Sequence, residues 1–173
     1  MVSEEDLKVL SELPGHIQAN IFKDFLFHDF LEQFKVHFIF TKPKDMVIEQ
    51  RCFDNLFTWC DYQYAAFMTK ILKALEPRFY KSGEYIFSEG EDVDEHIFVI
   101  NRDPNLHINA TGDYCVGFKF DTSTKYFHVK LGTKSIICGY ENLFGKRAEY
   151  SYRALKHVDA YGLRKRDLKL IFY

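Results

Sequence analysis

Residues 138–150, CGYENLFGKRAEY, form the stretch of this sequence whose residue types and spacing best suit holding an anion. Gly139 follows a strand-like run, and a short turn of mixed polarity carries Tyr140, Glu141, Asn142 and Leu143. Arg147 then arrives with Ala148, Glu149 and Tyr150 before the chain becomes strand-like again. A glycine turn followed by a guanidinium makes either an anion pocket or a plain corner, and residue types alone leave both readings open.

Other reactive side chains point to bland roles. Cys52, Cys60, Cys115 and Cys138 contain no C-x-x-C pair, and the seven histidines are scattered without ligand spacing, so a structural zinc is not expected. The acidic run Glu89–Glu95 lacks the alternating oxygen ligands of a calcium loop and reads as a charged turn. The basic triplets GKR at 145–147 and RKR at 164–166 could meet phosphoinositide or nucleic acid, although short charge runs are ordinarily solvated surface. No Ser/His/Asp or Cys/His set falls on a catalytic motif, so the sequence argues for a protein that is not an enzyme and carries no cofactor.

The 173 residues suit one domain with a short appendage, and 47% hydrophobic residues suffice for a core. Eighteen Phe and 11 Tyr argue against disorder. A net charge of −2 gives no global field to recruit nucleic acid. The charge is unevenly placed: Met1–Phe40 carry seven acids against three bases, and Gly145–Lys169 carry eight bases against three acids. No apolar run approaches the roughly 20 residues that span a bilayer. The start Ser3-Glu4-Glu5-Asp6 is the opposite of a signal peptide, which points to the cytoplasm or the cytoplasmic face of a membrane or complex, with free thiols.

The elements that must position residues 138–150 change period once. Ser3 and Asp6 can cap a first helix that Pro14-Gly15 stops. Ile17, Ile21, Phe25, Phe30 and Phe34 then predict a second, Phe-rich helix over 16–34 with one broad apolar face. Residues 38–58 read as a loop with one helical turn, and Tyr62–Leu75 as a helix ended by Pro77. Short strands follow around Tyr85–Phe87, at 96–100, 106–110, 114–120, 126–131 and 135–138, then in YSYRAL and VDAYGL. Gly83, Gly90 and Gly132 are placed for the turns between them. The fold class is α+β: an antiparallel, jelly-roll-like β-roll of about eight strands with helices before it and a short helix within 138–150.

GEYIFSEGEDVDEHIFVI resembles the early roll of the cyclic-nucleotide-binding domain family: a glycine, an apolar strand, an E-G turn, an acidic stretch and a strand of the IYFI kind. YFHVKLG and YRALKHVDAYGLRKRDL are similar to its later strands and to the entry of the following helix. EDLKVLSELPGHIQANIFKDF resembles the end of the C-linker in hyperpolarisation-activated, cyclic-nucleotide-gated and ether-à-go-go channels. The resemblance implies a C-linker-like helical segment over 1–56 and a nucleotide-binding-like roll over 57–173, without the family's C-terminal lid helix.

It also implies that 138–150 is the phosphate cassette, with cAMP or cGMP as ligand. Gly139 matches the glycine whose neighbouring N–H groups face the cyclic phosphate. Tyr140 stands where the family has the ribose-binding glutamate, and Glu141 comes one residue late. Arg147 is the candidate phosphate ligand, yet counting back from Arg153-Ala154 puts it one residue early. Glu149 and Tyr150 replace small residues, and a carboxylate beside a phosphate is repulsive. The expectation is a sensor module that binds nucleotide weakly at best, with a structural or assembly role as the alternative. The Phe-rich helices are expected to meet a protein partner or a second copy.

Overall fold

A computed structural model describes residues 4–43, 55–100, 113–120 and 123–172. The chain divides into two compact units, Met1–Lys73 and Ala74–Tyr173. The expected cap at Ser3, most of the 38–58 loop and the strand at 106–110 lie outside the described residues.

The first unit is helical: α1 (Glu4–Ser11), α2 (Gly15–Ile21), α3 (His28–Phe34) and α4 (Tyr62–Ala74). The single regular helix predicted over 16–34 is interrupted. Between α2 and α3 the chain winds as a π-helix over Phe22–Leu26, and a 3₁₀ turn, Lys35–Phe38, follows α3. The wider turn is closed by the Phe27 N–H, which donates to the Phe22 carbonyl at 2.9 Å, five residues back rather than four. This extra residue rotates the apolar face. Phe22, Phe27, Phe30, Phe34 and Phe38 become the buried set, whereas Phe25, expected on the stripe, is 78% exposed and Ile17 is also in solvent. Phe22 stacks on Phe27 at 5.8 Å, and Phe30 meets Phe34 at 5.1 Å and Phe38 at 6.0 Å. Such aromatic pairs add about 0.5–1.5 kcal/mol each beyond area burial.

The second unit holds eight strands among the described residues, in two four-stranded antiparallel sheets. They are β1 (Leu75–Tyr80), β2 (Tyr85–Phe87), β3 (Glu95–Val99), β4 (Tyr114–Phe120), β5 (Ser123–Leu131), β6 (Ser135–Ile137), β7 (Ser151–Ala154) and β8 (Val158–Arg164). The sheet orders are β1-β8-β3-β6 and β2-β7-β4-β5. Two short helices complete the unit: α5 (Gly139–Phe144) and α6 (Lys165–Phe172). Helix α4 ends at Ala74, so Pro77 lies inside β1 rather than in a loop after a helix. Among the described residues β1 pairs with β8 alone, and an edge strand tolerates a residue that cannot donate to the ladder.

Gly83 and Gly90 sit at the turns around β2 with φ of 88° and 81°, a conformation that costs other residues about 1–2 kcal/mol. The turn between β5 and β6 contains Gly132, but there the positive φ belongs to Lys134. Ile86, Phe87, Val93, Ile97, Val99, Tyr114, Ile137, Val158 and Ala160 form the core of the unit. β3 is buried along nearly its whole length, which explains its unbroken apolar run.

Across β1, β8 and β3 runs a ladder of charge. Arg78 grips Glu95 with two bonds, Nε to Oε1 at 3.0 Å and Nη2 to Oε2 at 2.6 Å. Glu76 accepts from both Arg78 (2.9 Å) and Arg164 (2.7 Å). Gly162 is paired with Glu76 in β1 and Ile97 in β3, and a Cβ on it would lie 2.5 Å from Glu95 Oε2.

Candidate functional site

The 138–150 corner is built from below. β6 ends at Ile137, and Cys138 takes a left-handed turn (φ 56°, ψ 30°) that throws the chain into α5. The Cys138 carbonyl then accepts the Asn142 N–H at 3.0 Å. Gly139 begins the helix so close to β6 that a Cβ would come within 3.1 Å of Ile136 Cγ2.

Asn142 pins α5 to the roll. It is fully buried, and its Nδ2 faces His96 Nδ1 at 3.0 Å and the Leu163 carbonyl at 3.4 Å. With Nδ2 donating, Nδ1 accepts and the His96 proton sits on Nε2. Burial pushes the His96 pKa down to about 4, so the imidazole is neutral at ordinary pH. Asn142 Oδ1 has no partner among the described residues. His96 had no sequence signal beyond its place at the head of an apolar strand, because its role depends on a residue 46 positions away.

Beyond α5 the chain returns along the 88–92 turn. The Ala148 N–H donates to the Glu91 carbonyl (2.9 Å), and the Ala148 carbonyl accepts from Gly90 (2.8 Å). This pairing sets the side-chain alternation. Arg147 points to solvent, 71% exposed, where its Nε donates to Asp92 Oδ1 at 2.9 Å. Ala148 takes the inward place at 2% exposure, packed in the core. Glu149 and Tyr150 are then exposed in succession. Ser151 turns back in, and its Oγ accepts the Glu89 N–H at 3.0 Å.

Tyr140 lies on the outer side of α5. Its ring is 4.6 Å from that of Phe144, and Lys146 Nζ sits 4.7 Å from its centroid and 3.0 Å from its hydroxyl. Leu143 is exposed beside them. Glu141 is half-buried. Burial, reinforced by Glu141 and Glu91, pushes the Cys138 thiol up to about 12, so it is an inert core thiol. Glu149 and Glu141 raise the Tyr150 phenol, and burial with Cys138 and Glu141 raises Tyr152. The carboxylates of Glu91, Glu141 and Glu149 are among the ionised side chains acting on these three groups. The Arg147 guanidinium faces outward. Among the described residues no group of three His, Cys, Asp or Glu is placed to hold a metal ion.

No protein-family model and no curated protein matches the chain. Solved structures do. A cyclic nucleotide-binding-like protein from Brucella abortus matches 62% of this chain and 84% of its own at 14% identity, with a TM-score of 0.50. The catabolite activator protein of Thermus thermophilus matches 61% of this chain and 45% of its own at 16% identity, TM-score 0.47. The regulatory subunit of a cAMP-independent protein kinase A from Trypanosoma brucei matches 61% and 35% at 18% identity, TM-score 0.48. The chain thus spans less than half the length of the last two. The likeness is one of fold: the second unit is a β-roll of the cyclic-nucleotide-binding kind.

Proposed function

We propose that the chain is a non-enzymatic regulatory module of the cyclic-nucleotide-binding type whose altered cassette takes cAMP or cGMP weakly at best. The roll supports the type, and the helical unit serves as the C-linker-like element of a channel-related protein at the cytoplasmic face. The observation that carries the weak binding is the alternation at 147–148: Ala148 occupies the inward place, while Arg147 is outside with Asp92. A buried charge-assisted contact to phosphate contributes about 1.5–3 kcal/mol, so its absence costs roughly ten- to a hundredfold in affinity. Ligand in the roll would move flanking helices only by favouring one of their arrangements.

Calorimetric titration of the chain with both nucleotides tests this. Binding no tighter than micromolar is expected, with Glu149→Ala tightening it as a repelling carboxylate is removed. Submicromolar affinity in the unmodified chain overturns the reading. A second reading, a structural subunit that binds no nucleotide, is favoured by the exposed Phe25, Val36 and Ile39 of the helical unit, which would dock on a protein partner or a second copy. In that case neither nucleotide gives heat with any variant, and Phe25→Ser disturbs assembly.

A further inference from the structure

The outer face of α5 is left unexplained by a ligand on the inner side of the corner. Tyr140, Leu143 and Phe144 recur at i, i+3 and i+4, so they share one face, and they are 56%, 59% and 67% exposed. Their helix is held from beneath by the buried Asn142, which fixes them outward. Around them the two basic triplets of the sequence meet: Lys165, the first residue of α6, brings its ammonium within 2.8 Å of where a Cβ on Gly145 would stand. Lys146 sits over the Tyr140 ring, and α6 continues with exposed Arg166, Lys169 and Leu170. Among the described residues no carboxylate lies within ion-pair distance of Lys146, Lys165 or Lys169.

We infer that the Tyr140–Leu143–Phe144 face, with the lysines that adjoin it, is a docking surface for an anionic lipid bilayer. A peptide would need walls to enclose it, whereas side chains more than half in solvent stand out from the surface. A bilayer interface takes such projections: aromatic rings at headgroup level, the leucine at the acyl boundary and lysines reaching lipid phosphates. Glu141 and Glu149 act on Lys146 from nearby and moderate the attraction, so charge alone does not suffice and apolar insertion must add to it. This surface does not rest on the nucleotide reading, which concerns the inward side of the same corner.

The test is flotation of the full chain with phosphatidylcholine vesicles made with and without about one-third phosphatidylserine. Binding to the anionic vesicles alone is expected, weakening as salt rises. The double change Leu143→Ser/Phe144→Ser and the double change Lys146→Glu/Lys169→Glu should each reduce it at least tenfold. A single lysine near such a surface is worth about fivefold. All four side chains are exposed, and circular dichroism checks that the roll persists. Val9→Ser, an exposed apolar residue in the helical unit, should leave flotation unchanged. No flotation, equal flotation on neutral vesicles, or loss with Val9→Ser but not with the α5 variants overturns the inference. So does single-stranded RNA binding that depends on the same residues while vesicles are ignored, which would make the surface one for nucleic acid.

Discussion

The two charged regions of the roll are built on opposite terms. In the ladder over β1, β8 and β3, each guanidinium meets a carboxylate, Arg78 in a fork, and Gly162 leaves the room for it. Burial alone would raise the Glu76 carboxyl, but Arg78 and Arg164 hold it below its ordinary range. At the 138–150 corner the carboxylates Glu141, Glu91 and Glu149 act on Cys138 and Tyr150, and Arg147 pairs with Asp92 in water. The ladder is an internal strut with its charge already matched. The corner is held in shape by neutral contacts, Asn142 with His96 and Ala148 in the core.

The largest expected effect separates the two by acid. The His96 pKa falls from 6.5 to about 4 on folding, so the unfolded chain binds the extra proton in this window. Stability is then complete above pH 6.5 and declines as pH falls towards 4, by about 3 kcal/mol from this group. Urea denaturation at pH 7 and pH 4.5 should show it, and His96→Gln should flatten the difference. An unchanged slope would mean that the corner does not rest on the neutral imidazole. Gly162→Ala comes next: the added methyl displaces the Glu95 carboxylate from its fork, costing about 1–2 kcal/mol at a half-buried pair. A variant as stable as the parent would show the ladder to be ornamental. The smallest effect is Arg147→Ala. An exposed ion pair contributes about 0–1 kcal/mol, so stability should hold within about 0.5 kcal/mol and weak nucleotide heats should not change. A tenfold loss of nucleotide affinity would place the guanidinium inward in solution.

The roll was legible because alternation with period two and glycine turns are local signals: Gly83, Gly90 and the run at 114–120 fall where the residues say they should. β1 was missed, since a proline usually marks an end, and only the sheet order reveals that Pro77 sits on an edge. At the corner, the count back from Arg153-Ala154 already set Arg147 one residue early, and backbone pairing of 147–148 with 90–92 gives that offset its geometry. The Asn142–His96 contact carried no signal, because a buried polar pair looks like two surface residues until the strands are assembled. In the helical unit, regular winding was assumed through Phe25, and the π-helical turn at Phe22–Leu26, closed by the Phe27 N–H on the Phe22 carbonyl, undid the stripe.

That bond makes the segment unusually forgiving of a change in length. Phe22 and Phe27 lie on the same face across five residues, and an ordinary helix brings together residues four apart. Removing Asp24, an exposed residue inside the wide turn, would let the segment rewind as a regular helix and leave Phe22 stacked on the former Phe27. The same deletion in α4 would swing every following side chain by about 100°. Deleting Asp24 is thus expected to leave the aromatic core of the first unit in place, read as an unchanged near-ultraviolet circular dichroism spectrum.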